Sequence, residues 1–393
     1  MHPVARTWDE RPLLLFWEMT RACPLACAHC RASALHTGLP GELTTEEGKR
    51  FLDDAAQFGS PSPILVMTGG DPLARPDFYE LLAHARSRKI RVALAPAVSP
   101  ALSPEAMVRL REGGVNAVSI SLDGARAATH EGIRNVPGHW EETQRTLAQL
   151  VEHGFMVQVN TTVMQENVEE LAELAALLKD LGVHVWEVFF LVQVGRGTAV
   201  AEVSPQECED VSQFLVDAAC YGFIVRTVEG PFFRRVVTWR ADIADGKLPA
   251  GEVPTGPLYA RLSAELKSLL GPPSERPKAT SAGTRDGNGI LFVGHDGEVS
   301  PAGFLPFPLG NVKERSVVDI YKTHPLLQDI RAARYHGRCG ACEYRELCGG
   351  SRSRAFAHHG DALGDDPACA YTPAGYVAAA AAPVAHRPLP LVV

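Results

Sequence analysis

Short apolar segments rich in β-forming residues alternate with amphipathic helical segments from residue 13 to about residue 228. This alternation predicts a parallel sheet covered by helices, because parallel strands need a crossover connection between them. The pattern fits both an open doubly wound sheet and a barrel. In either case ligands bind where the C-terminal ends of the strands meet. The predicted strands are Leu13 to Met19, Pro63 to Thr68, Arg91 to Ala95, Ala117 to Leu122, Phe155 to Val163 and His184 to Val192.

Two of the intervening helices carry clear start signals. The segment Thr44 to Phe58 begins with a capping Thr and has two Glu residues in its first turn. The segment Ser103 to Glu112 has Pro at its first helical position. Because these residue types favour helix N-termini, we expect both segments to form outer helices.

Three cysteines follow the first predicted strand in a C-x3-C-x2-C arrangement: Cys23, Cys27 and Cys30. Three thiolates ligate only three corners of a 4Fe-4S cluster, whereas a cluster that only carries electrons normally has four protein ligands. The spacing therefore favours a cluster with one open iron. The alternative is a structural zinc knuckle, although zinc prefers four N or S ligands in one closed set.

A second set of cysteines lies near the C-terminus. Its members are Cys339, Cys342, Cys348 and Cys369. Four thiolates are the complement of a full 4Fe-4S cluster, which would serve electron transfer. Zinc held by four thiolates is the alternative for this set. Cys208 and Cys220 have no ligand spacing, and we interpret them as small buried residues of a helix.

The first cysteine set, with His29 directly before its last member, resembles the signature of the radical S-adenosylmethionine (SAM) enzymes. The resemblance implies an α/β fold: a partial (β/α)6 TIM-type barrel with a small C-terminal cluster-binding extension. It implies that Cys23, Cys27 and Cys30 are the catalytic ligands of a 4Fe-4S cluster whose open iron binds SAM. One electron from that cluster would cleave SAM to methionine and a 5'-deoxyadenosyl radical, which abstracts hydrogen from a substrate carbon.

Residues at the ends of other predicted strands resemble SAM contacts of this family. Gly69-Gly70-Asp71-Pro72 resembles its GGEP element, with Asp for the usual Glu, and a simple turn is the alternative. Ser121, Asp123 and Arg134 follow the fourth strand, and a guanidinium there can form two bonds to the SAM carboxylate. A strand-end cap and a solvated surface charge are the alternatives for Ser121 and Arg134. The implied cofactor-binding residues are His29, Gly69, Gly70, Asp71, Ser121, Asp123, Arg134 and Asn160.

Weaker resemblances to adenine and ribose contacts occur at the last two predicted strands. Asn160 and Thr161 end the fifth strand, and Gly195-Arg196-Gly197 follows the sixth. Polar residues and glycines at strand ends are usually turn residues, so this alternative stays open for both.

The C-terminal region resembles the SPASM extension of radical SAM enzymes. A full extension binds two auxiliary clusters and contains C-x2-C-x5-C-x3-C, but Arg352 fills the place of the last Cys here. The stretch from Val299 to Asn311, where the family has another Cys, contains no thiol. The resemblance therefore implies one auxiliary 4Fe-4S cluster, and two clusters in total.

We expect four parts in the chain. They are a radical SAM partial barrel at 1–230, a variable linker or lid at 231–288, a SPASM-like auxiliary cluster domain at 289–371 and a disordered tail at 372–393. Within the linker, a helix is predicted near Tyr259 to Leu270. The extension should begin with a β-hairpin of Gly289 to Val293 and Glu298 to Ser300, since an Asp-Gly pair lies between them.

Composition limits the partners. The net charge of −8 and the isoelectric point near 6.0 argue against a nucleic-acid platform. The run Leu13 to Trp17 is too short to span a bilayer, and the residues before it lack the apolar core of an export signal. We expect a cytoplasmic protein whose partners include neither nucleic acid nor membrane, with an electron donor such as flavodoxin or ferredoxin.

The spacing around the second cysteine set resembles the tetrapyrrole branch of the SPASM-type enzymes. The implied reaction is oxidative decarboxylation of tetrapyrrole propionates, with Arg226, Arg234, Arg235 and Arg240 as candidate carboxylate contacts and His295 or His336 as candidate iron ligands. Surface solvation is the alternative for the arginines, and a structural role for the histidines. The alternative functions are maturation of a ribosomally made peptide or protein side chain, and non-catalytic electron transfer.

Overall fold

The computed structural model describes residues 8–249, 251, 253–273, 276–279 and 283–377. Its strands form one sheet with the order β10-β9-β8-β1-β2-β3-β4-β5-β6-β7. The strands are β1 (Leu14–Glu18), β2 (Ile64–Thr68), β3 (Arg91–Leu94), β4 (Ala117–Ser121), β5 (Met156–Val163), β6 (Val185–Phe190), β7 (Ile224–Val228), β8 (Ile290–Val293), β9 (Glu298–Ser300) and β10 (Gly310–Asn311).

Helices follow most of these strands and cover the outside of the sheet. They are α1 (Thr45–Ala55), α2 (Phe78–Ser87), α3 (Pro104–Glu112), α4 (Ala127–Arg134), α5 (His139–Glu152), α6 (Leu171–Asp180), α7 (Pro205–Ala218), α8 (Phe233–Ala244), α9 (Pro257–Leu270), α10 (Val317–Thr323), α11 (Pro325–Arg331), α12 (Gly337–Ala341) and α13 (Arg352–His359). The two start signals noted in the sequence are confirmed. Thr44 forms a capping box with Glu47 at α1, and Ser103 caps α3.

Strands β1 to β7 are parallel neighbours in chain order, as the α/β prediction requires. All six predicted strands are present. The structure adds β7, which the sequence pattern missed because Arg226 and Thr227 interrupt its apolar residues. The parallel order brings the C-terminal ends of seven strands to one edge of the sheet.

Alternation along the strands separates the core from the lumen, the space inside the curved sheet. In β5, Val157, Val159 and Val163 are buried, whereas Gln158 and Asn160 between them stay partly exposed. Because successive side chains point to opposite faces, the buried residues pack under the helices and the polar ones line the lumen. Trp17 of β1 packs edge-on against Phe51 of α1, with their ring centroids 5.2 Å apart.

The predicted hairpin of the extension is present and belongs to the same sheet as the barrel. Strand β8 pairs antiparallel with β9 and, on its other side, parallel with β1. The first strand of the extension therefore continues the barrel sheet instead of starting a separate one. This pairing is what places the extension beside the loop after β1.

The segment 231–288, expected to be a linker or lid, contains two helices among its described residues. Helix α9 packs against α6 and α7, and α8 packs against α7. These helices extend the outer layer of the barrel, so the described part of the segment is packed structure. The tail predicted at 372–393 lies outside the described residues from 378 onward.

None of the described helices combines the length and the apolar composition needed to cross a bilayer.

Candidate functional site

The first cysteine set lies in the loop after β1, at the C-terminal edge of the sheet. Cys23 and Cys27 are buried, Cys30 is half-buried, and the three side chains pack together with Leu25 and nearby Ala residues. The backbone N–H of Leu25 donates to Cys23 Sγ at 3.4 Å. Burial raises the pKa of the Cys23 thiol to about 12. The structure therefore brings together the three thiols that the sequence grouped by spacing.

Glycines allow other loops to pass directly against this cysteine loop. A Cβ on Gly70 would lie 2.3 Å from the carbonyl oxygen of Ala22, and one on Gly69, whose φ is +150°, would lie 2.5 Å from that of Thr20. Both sites exclude a side chain, because real Cβ atoms do not approach backbone this closely. Gly69 and Gly70 thus hold the loop after β2 against the cysteine loop.

The element Gly195-Arg196-Gly197 supports the cysteine loop from the other side. A Cβ on Gly195 would lie 2.2 Å from the carbonyl oxygen of Arg31. Arg196 donates from Nε to the carbonyl oxygen of Cys27 at 2.8 Å and from Nη1 to that of Ala34 at 2.9 Å. The sequence suggested adenine or ribose contacts here, and the structure shows that Arg196 fixes the backbone around the thiols.

Asp71 is buried, and its carboxylate is already engaged within the protein. Oδ2 accepts from the hydroxyl of Ser99 at 3.0 Å, and Oδ1 accepts from the backbone N–H of Leu73 at 3.1 Å. Burial raises the pKa of this carboxyl group. Asp71 therefore joins the loop after β2 to the loop after β3, and a direct contact with SAM stays a prediction.

A buried ion pair connects the end of β4 to the cysteine loop. Arg134, the last residue of α4, donates from Nη2 to Asp123 Oδ2, and its Nη1 lies 3.5 Å from Cys27 Sγ. Burial alone would raise the pKa of Asp123, but Arg134 and His29 hold it below its ordinary value. Asp123 also accepts from the backbone N–H of Thr162 at 2.8 Å. Asp123 is therefore held by β5 as well as by Arg134, and the pair places the Arg134 guanidinium beside the Cys27 thiol.

Two stacked histidines lie behind this ion pair. His130 Nδ1 accepts from the backbone N–H of Asp123 at 3.2 Å, and His130 Nε2 lies 2.9 Å from His139 Nδ1. His139 Nε2 then donates to the carbonyl oxygen of Val98 at 3.3 Å. Burial lowers the pKa of His130 to about 3, so both rings are neutral and position the loop that carries Asp123.

Four buried side-chain nitrogens in and around the cysteine loop have no hydrogen-bond partner within the described part of the chain. They are Arg21 Nε, His29 Nδ1, Arg134 Nε and Arg196 Nη2. His29 Nε2 lies 3.7 Å from Asp123 Oδ2, and burial lowers the pKa of His29 to about 4. Because buried polar groups are normally paired, these nitrogens fit a polar ligand bound against the thiols. The carboxylate of SAM can accept from the guanidinium nitrogens, because these groups only donate.

Ser121 and Asn160 lie opposite each other on β4 and β5, in register and on the lumen side. Asn160 Oδ1 accepts from Gln158 Nε2 at 2.8 Å, and the same nitrogen lies 2.8 Å from Glu187 Oε2. Burial raises the pKa of Glu187, although Arg226 is its cross-strand neighbour. The lumen side of β4 to β7 therefore carries polar residues, and SAM contacts by Ser121 and Asn160 stay a prediction.

Glu18, Arg31 and His295 form a charged group that the sequence did not indicate. Glu18 is the buried last residue of β1, and it accepts from Arg31 and from His295 Nδ1, the latter at 2.8 Å. Burial would raise the pKa of Glu18, but Arg31 and His295 hold it at about 2. The group joins the cysteine loop to the extension, and its members are too far apart in the chain for any spacing rule.

Three of the four arginines suggested as tetrapyrrole contacts bind other groups of the protein. Arg235 forms two hydrogen bonds with Glu209, at 2.9 and 2.7 Å, Arg240 pairs with Asp217, and Arg234 donates to the carbonyl oxygen of Leu347 at 3.1 Å. Arg235 and Arg240 join α8 to α7, and Arg234 joins α8 to the turn before Cys348. Only Arg226 of this group is exposed, since it lies on β7 with its side chain away from the helices.

The four cysteines of the second set line one cavity together with aromatic side chains, including Tyr344 and Tyr371. Three of the thiols accept a backbone N–H: Cys342 at 3.4 Å, and Cys348 and Cys339 at 3.5 Å. Burial raises the pKa of Cys342 and Cys348 to about 11 and that of Cys369 to about 12. Such donors stabilise thiolates that ligate iron, so this set fits a cluster as the sequence predicted.

In the described residues, no three Cys, His, Asp or Glu side chains are arranged to hold a single metal ion.

A buried polar network joins the second cysteine set to the barrel, and the sequence did not reveal it. Glu229, just after β7, accepts from the hydroxyls of Ser351 and Ser353, the latter at 2.8 Å. Arg354 donates to the carbonyl oxygen of Leu191 at 3.0 Å and to Asp366 Oδ1 at 3.2 Å. Burial and the nearby Asp286 raise the pKa of Glu229 to about 8. The network ties the extension to the edge of the sheet where the first set lies.

Two protein-family models match the chain. Residues 17–178 match the radical SAM superfamily, and residues 285–343 match SPASM, an iron-sulfur cluster-binding domain. Their positions agree with the two cysteine sets, since the first match contains Cys23 to Cys30 and the second contains Cys339 and Cys342.

Curated proteins and solved structures resemble the chain over almost its whole length. It is 35% identical over 364 residues to an AdoMet-dependent heme synthase of Methanosarcina barkeri, covering 92% of this chain and 97% of that protein. It is 29% identical over 387 residues to the mycofactocin maturase MftC of Mycobacterium ulcerans, covering 98% and 94%. The structure of Streptococcus suis SuiB bound to S-adenosylmethionine matches with a TM-score of 0.62 at 16% identity, covering 92% and 77%, and this likeness shows the fold.

Proposed function

This chain belongs to the radical SAM superfamily and is an enzyme with a SPASM-type iron-sulfur region, and from that premise we propose that it oxidatively decarboxylates propionate side chains of an iron tetrapyrrole. The observation that carries the proposal is the 35% identity to an AdoMet-dependent heme synthase across 97% of that protein. A match of this extent covers 92% of this chain.

The residues of the first set fit the cofactor that the family uses. Cys23, Cys27 and Cys30 would hold a 4Fe-4S cluster, and the N–H of Leu25 and the guanidinium of Arg134 would donate to its thiolates. When bound and reduced, this cluster supplies the electron that cleaves SAM and releases a 5'-deoxyadenosyl radical. The unpartnered nitrogens described above would hold the polar end of SAM beside it.

The substrate step balances with one hydrogen atom and one electron. Removal of a hydrogen atom from the propionate carbon next to the ring, then loss of CO2 and one electron, leaves a vinyl group. The electron needs an acceptor, and a cluster held by Cys339, Cys342, Cys348 and Cys369 would provide one. Arg226 is the exposed lumen cation available to a substrate carboxylate.

The test is anaerobic reconstitution followed by incubation with SAM, dithionite and iron-coproporphyrin III. We expect 5'-deoxyadenosine together with a porphyrin that has lost two carboxyl groups. Arg226→Gln should keep SAM cleavage and raise the KM for the porphyrin about tenfold, because one charged contact contributes roughly 1.5 kcal/mol. Arg240→Gln, on the outer helix α8, serves as the control and should leave the KM unchanged. An unchanged porphyrin beside abundant deoxyadenosine contradicts the proposed substrate.

A second candidate is maturation of a ribosomally made peptide or protein side chain. The observation that favours it is the 29% identity to the mycofactocin maturase MftC across 94% of that protein. This activity would use the same cysteine sets and differ only at the lumen. Deoxyadenosine formation that depends on a precursor peptide and not on porphyrin would support it.

We also propose an electron donor and a cellular location for the enzyme. Its electron donor would be a small redox protein such as flavodoxin or ferredoxin, and its location would be cytoplasmic. The net charge of −8 supports the expectation that nucleic acid is no partner. Replacing dithionite by reduced flavodoxin should sustain SAM cleavage, and failure with both flavodoxin and ferredoxin would exclude these donors.

A further inference from the structure

Arg352 is a fully buried arginine beside the second cysteine set. It begins helix α13, and its Nη2 lies 3.6 Å from Cys339 Sγ, within the range of a hydrogen bond to sulfur. The guanidinium also stacks over the ring of Tyr335 at 4.5 Å. Burial and the contact with the Tyr335 ring leave the group little freedom to turn away from the thiol.

The other acceptors of Arg352 are backbone carbonyl oxygens. Nη1 donates to Gly364 at 2.7 Å and to Ala362 at 3.3 Å, and Nε donates to Gly350 at 3.2 Å. Carbonyl groups satisfy the hydrogen bonds of a guanidinium but do not cancel its charge. The side-chain atom that Arg352 contacts by hydrogen bonding among the described residues is the sulfur of Cys339, which becomes anionic when it ligates a cluster.

The nearest buried carboxylate, Asp366, is committed elsewhere. Its Oδ1 accepts from Arg354 Nη1 at 3.2 Å, and its Oδ2 accepts from the backbone N–H of Ser351 at 2.8 Å. Two arginines of α13 therefore have different partners: Arg354 pairs with a carboxylate, and Arg352 pairs with a thiol. The described part of the chain thus places, next to one specific sulfur, a guanidinium that has no direct hydrogen bond to a carboxylate.

We propose that Arg352 raises the reduction potential of the iron-sulfur cluster held by Cys339, Cys342, Cys348 and Cys369, so that this cluster accepts an electron released during turnover. The reduced cluster carries one more negative charge than the oxidised cluster, and a buried cation stabilises the more negative form. The hydrogen bond to Cys339 Sγ acts in the same direction, because it withdraws charge from a ligand. The inference goes beyond the proposed substrate and applies equally to a peptide.

The test measures the potential of this cluster alone. A full-length background variant with Cys23, Cys27 and Cys30 changed to Ala removes the first cluster, so that electron paramagnetic resonance during a redox titration reports only the second. In this background Arg352→Gln should lower the equilibrium constant for reduction at least tenfold, which is ~59 mV for a one-electron couple. Arg352→Lys keeps the charge and should shift the potential less, in the same direction.

Arg338→Gln is the matched control. Arg338 precedes Cys339 in the chain, but its Nη2 donates to the carbonyl oxygen of Asp366 at 3.0 Å and its side chain is partly exposed. Solvent screens its charge, so its loss should change the equilibrium constant less than twofold.

Three outcomes would overturn the proposal. One is a potential in Arg352→Gln equal to that of the background chain with iron content unchanged. Another is an equal shift in Arg338→Gln, which would make the effect one of overall charge. The third is loss of iron in both Arg352 variants, which would make Arg352 an assembly residue. No substrate enters this measurement, so its result is independent of whether the proposed decarboxylation is correct.

Discussion

The two cysteine sets each have a buried arginine beside one thiol, but the rest of their surroundings differ. At the first set, Arg134 contacts Cys27 and is paired with Asp123, while buried nitrogens of His29, Arg134 and Arg196 lack partners in the described chain. At the second set, Arg352 contacts Cys339 and three of the four thiols have a backbone N–H donor. The first set is therefore suited to receive a polar ligand, and the second to hold charge in a closed site.

Under the proposed function, this difference corresponds to separate steps of one reaction at the two sets. A site that must bind SAM needs free donors and an open position, whereas an electron store needs complete ligation and a tuned potential. The network of Glu229, Ser353 and Arg354 joins the two regions, and none of its members is a cysteine of either set. Variants can therefore separate SAM cleavage from substrate turnover.

The largest expected effect separates the two sets directly. Changing Cys23, Cys27 and Cys30 to Ala should abolish 5'-deoxyadenosine formation, because no thiolate remains to hold the cluster that cleaves SAM. Cys369→Ala should leave SAM cleavage within about twofold of the unchanged enzyme and stop product formation, since only the electron acceptor is lost. The amounts of 5'-deoxyadenosine and of product are measured by liquid chromatography and mass spectrometry.

Cys208→Ala is the control for both changes. Cys208 is buried in α7, donates weakly to the carbonyl oxygen of Val203 and is a member of neither cysteine set. It should retain both activities. Surviving SAM cleavage in the triple variant would contradict the assignment of the first set, and equal loss of cleavage in Cys369→Ala would show that the two sets do not act separately.

A smaller effect compares two buried aspartates. Asp123→Asn leaves Arg134 without its charge partner, whereas Asp366→Asn leaves Arg354 with Glu202 4.0 Å away. Asp123→Asn should destabilise the protein by about 3 kcal/mol, since an uncompensated buried charge remains, and Asp366→Asn should destabilise it less. Only Asp123→Asn should also weaken SAM binding, because Arg134 lies at the first set. Thermal unfolding and equilibrium binding of SAM measure the two effects.

Both variants should lose stability, so thermal unfolding alone does not show which residue contributes to the SAM site. Equilibrium binding of SAM makes that distinction. Weaker SAM binding in both variants would indicate that the second region shapes the first site through the shared network. Unchanged SAM binding in Asp123→Asn would contradict the prediction that Arg134 contributes to the SAM site.

The sequence predicted the elements better than the contacts between them. Six strands followed from local apolar runs, and the cysteine sets followed from spacing, because both are local patterns. Strand β7 was missed since Arg226 interrupts it, and α8 was missed since it lies in a segment interpreted as a linker. Local composition does not show that these residues complete the sheet and its outer layer.

The site residues that the sequence missed depend on pairing between distant strands. Glu18 meets His295 because β8 pairs with β1, and no periodicity connects residues so far apart. Arginine content also suggested four contacts for a carboxylate substrate, whereas Arg234, Arg235 and Arg240 bind the protein itself. Sequence shows that cations are present, but only the fold shows which charges are already satisfied.

The smallest expected effect concerns the network between the two regions. Burial and Asp286 raise the pKa of Glu229 from 4.5 to about 8, so the folded protein holds a proton that the unfolded chain releases above pH 4.5. Stability from this group is complete below pH 4.5 and is lost as the pH rises through 8. Between pH 7 and pH 8 the loss should be about 1 kcal/mol.

Glu229→Gln imitates the protonated carboxyl group, so it should remove this part of the pH dependence. Its thermal unfolding temperature should fall less than that of the unchanged protein between pH 7 and pH 8. Asp329→Asn is the control, because Asp329 pairs with the exposed Arg334 on the surface of the extension and should leave the slope unchanged. Parallel slopes for Glu229→Gln and the unchanged protein would show that Glu229 is ionised when folded. The two regions would then be joined by a charged network instead of a neutral one.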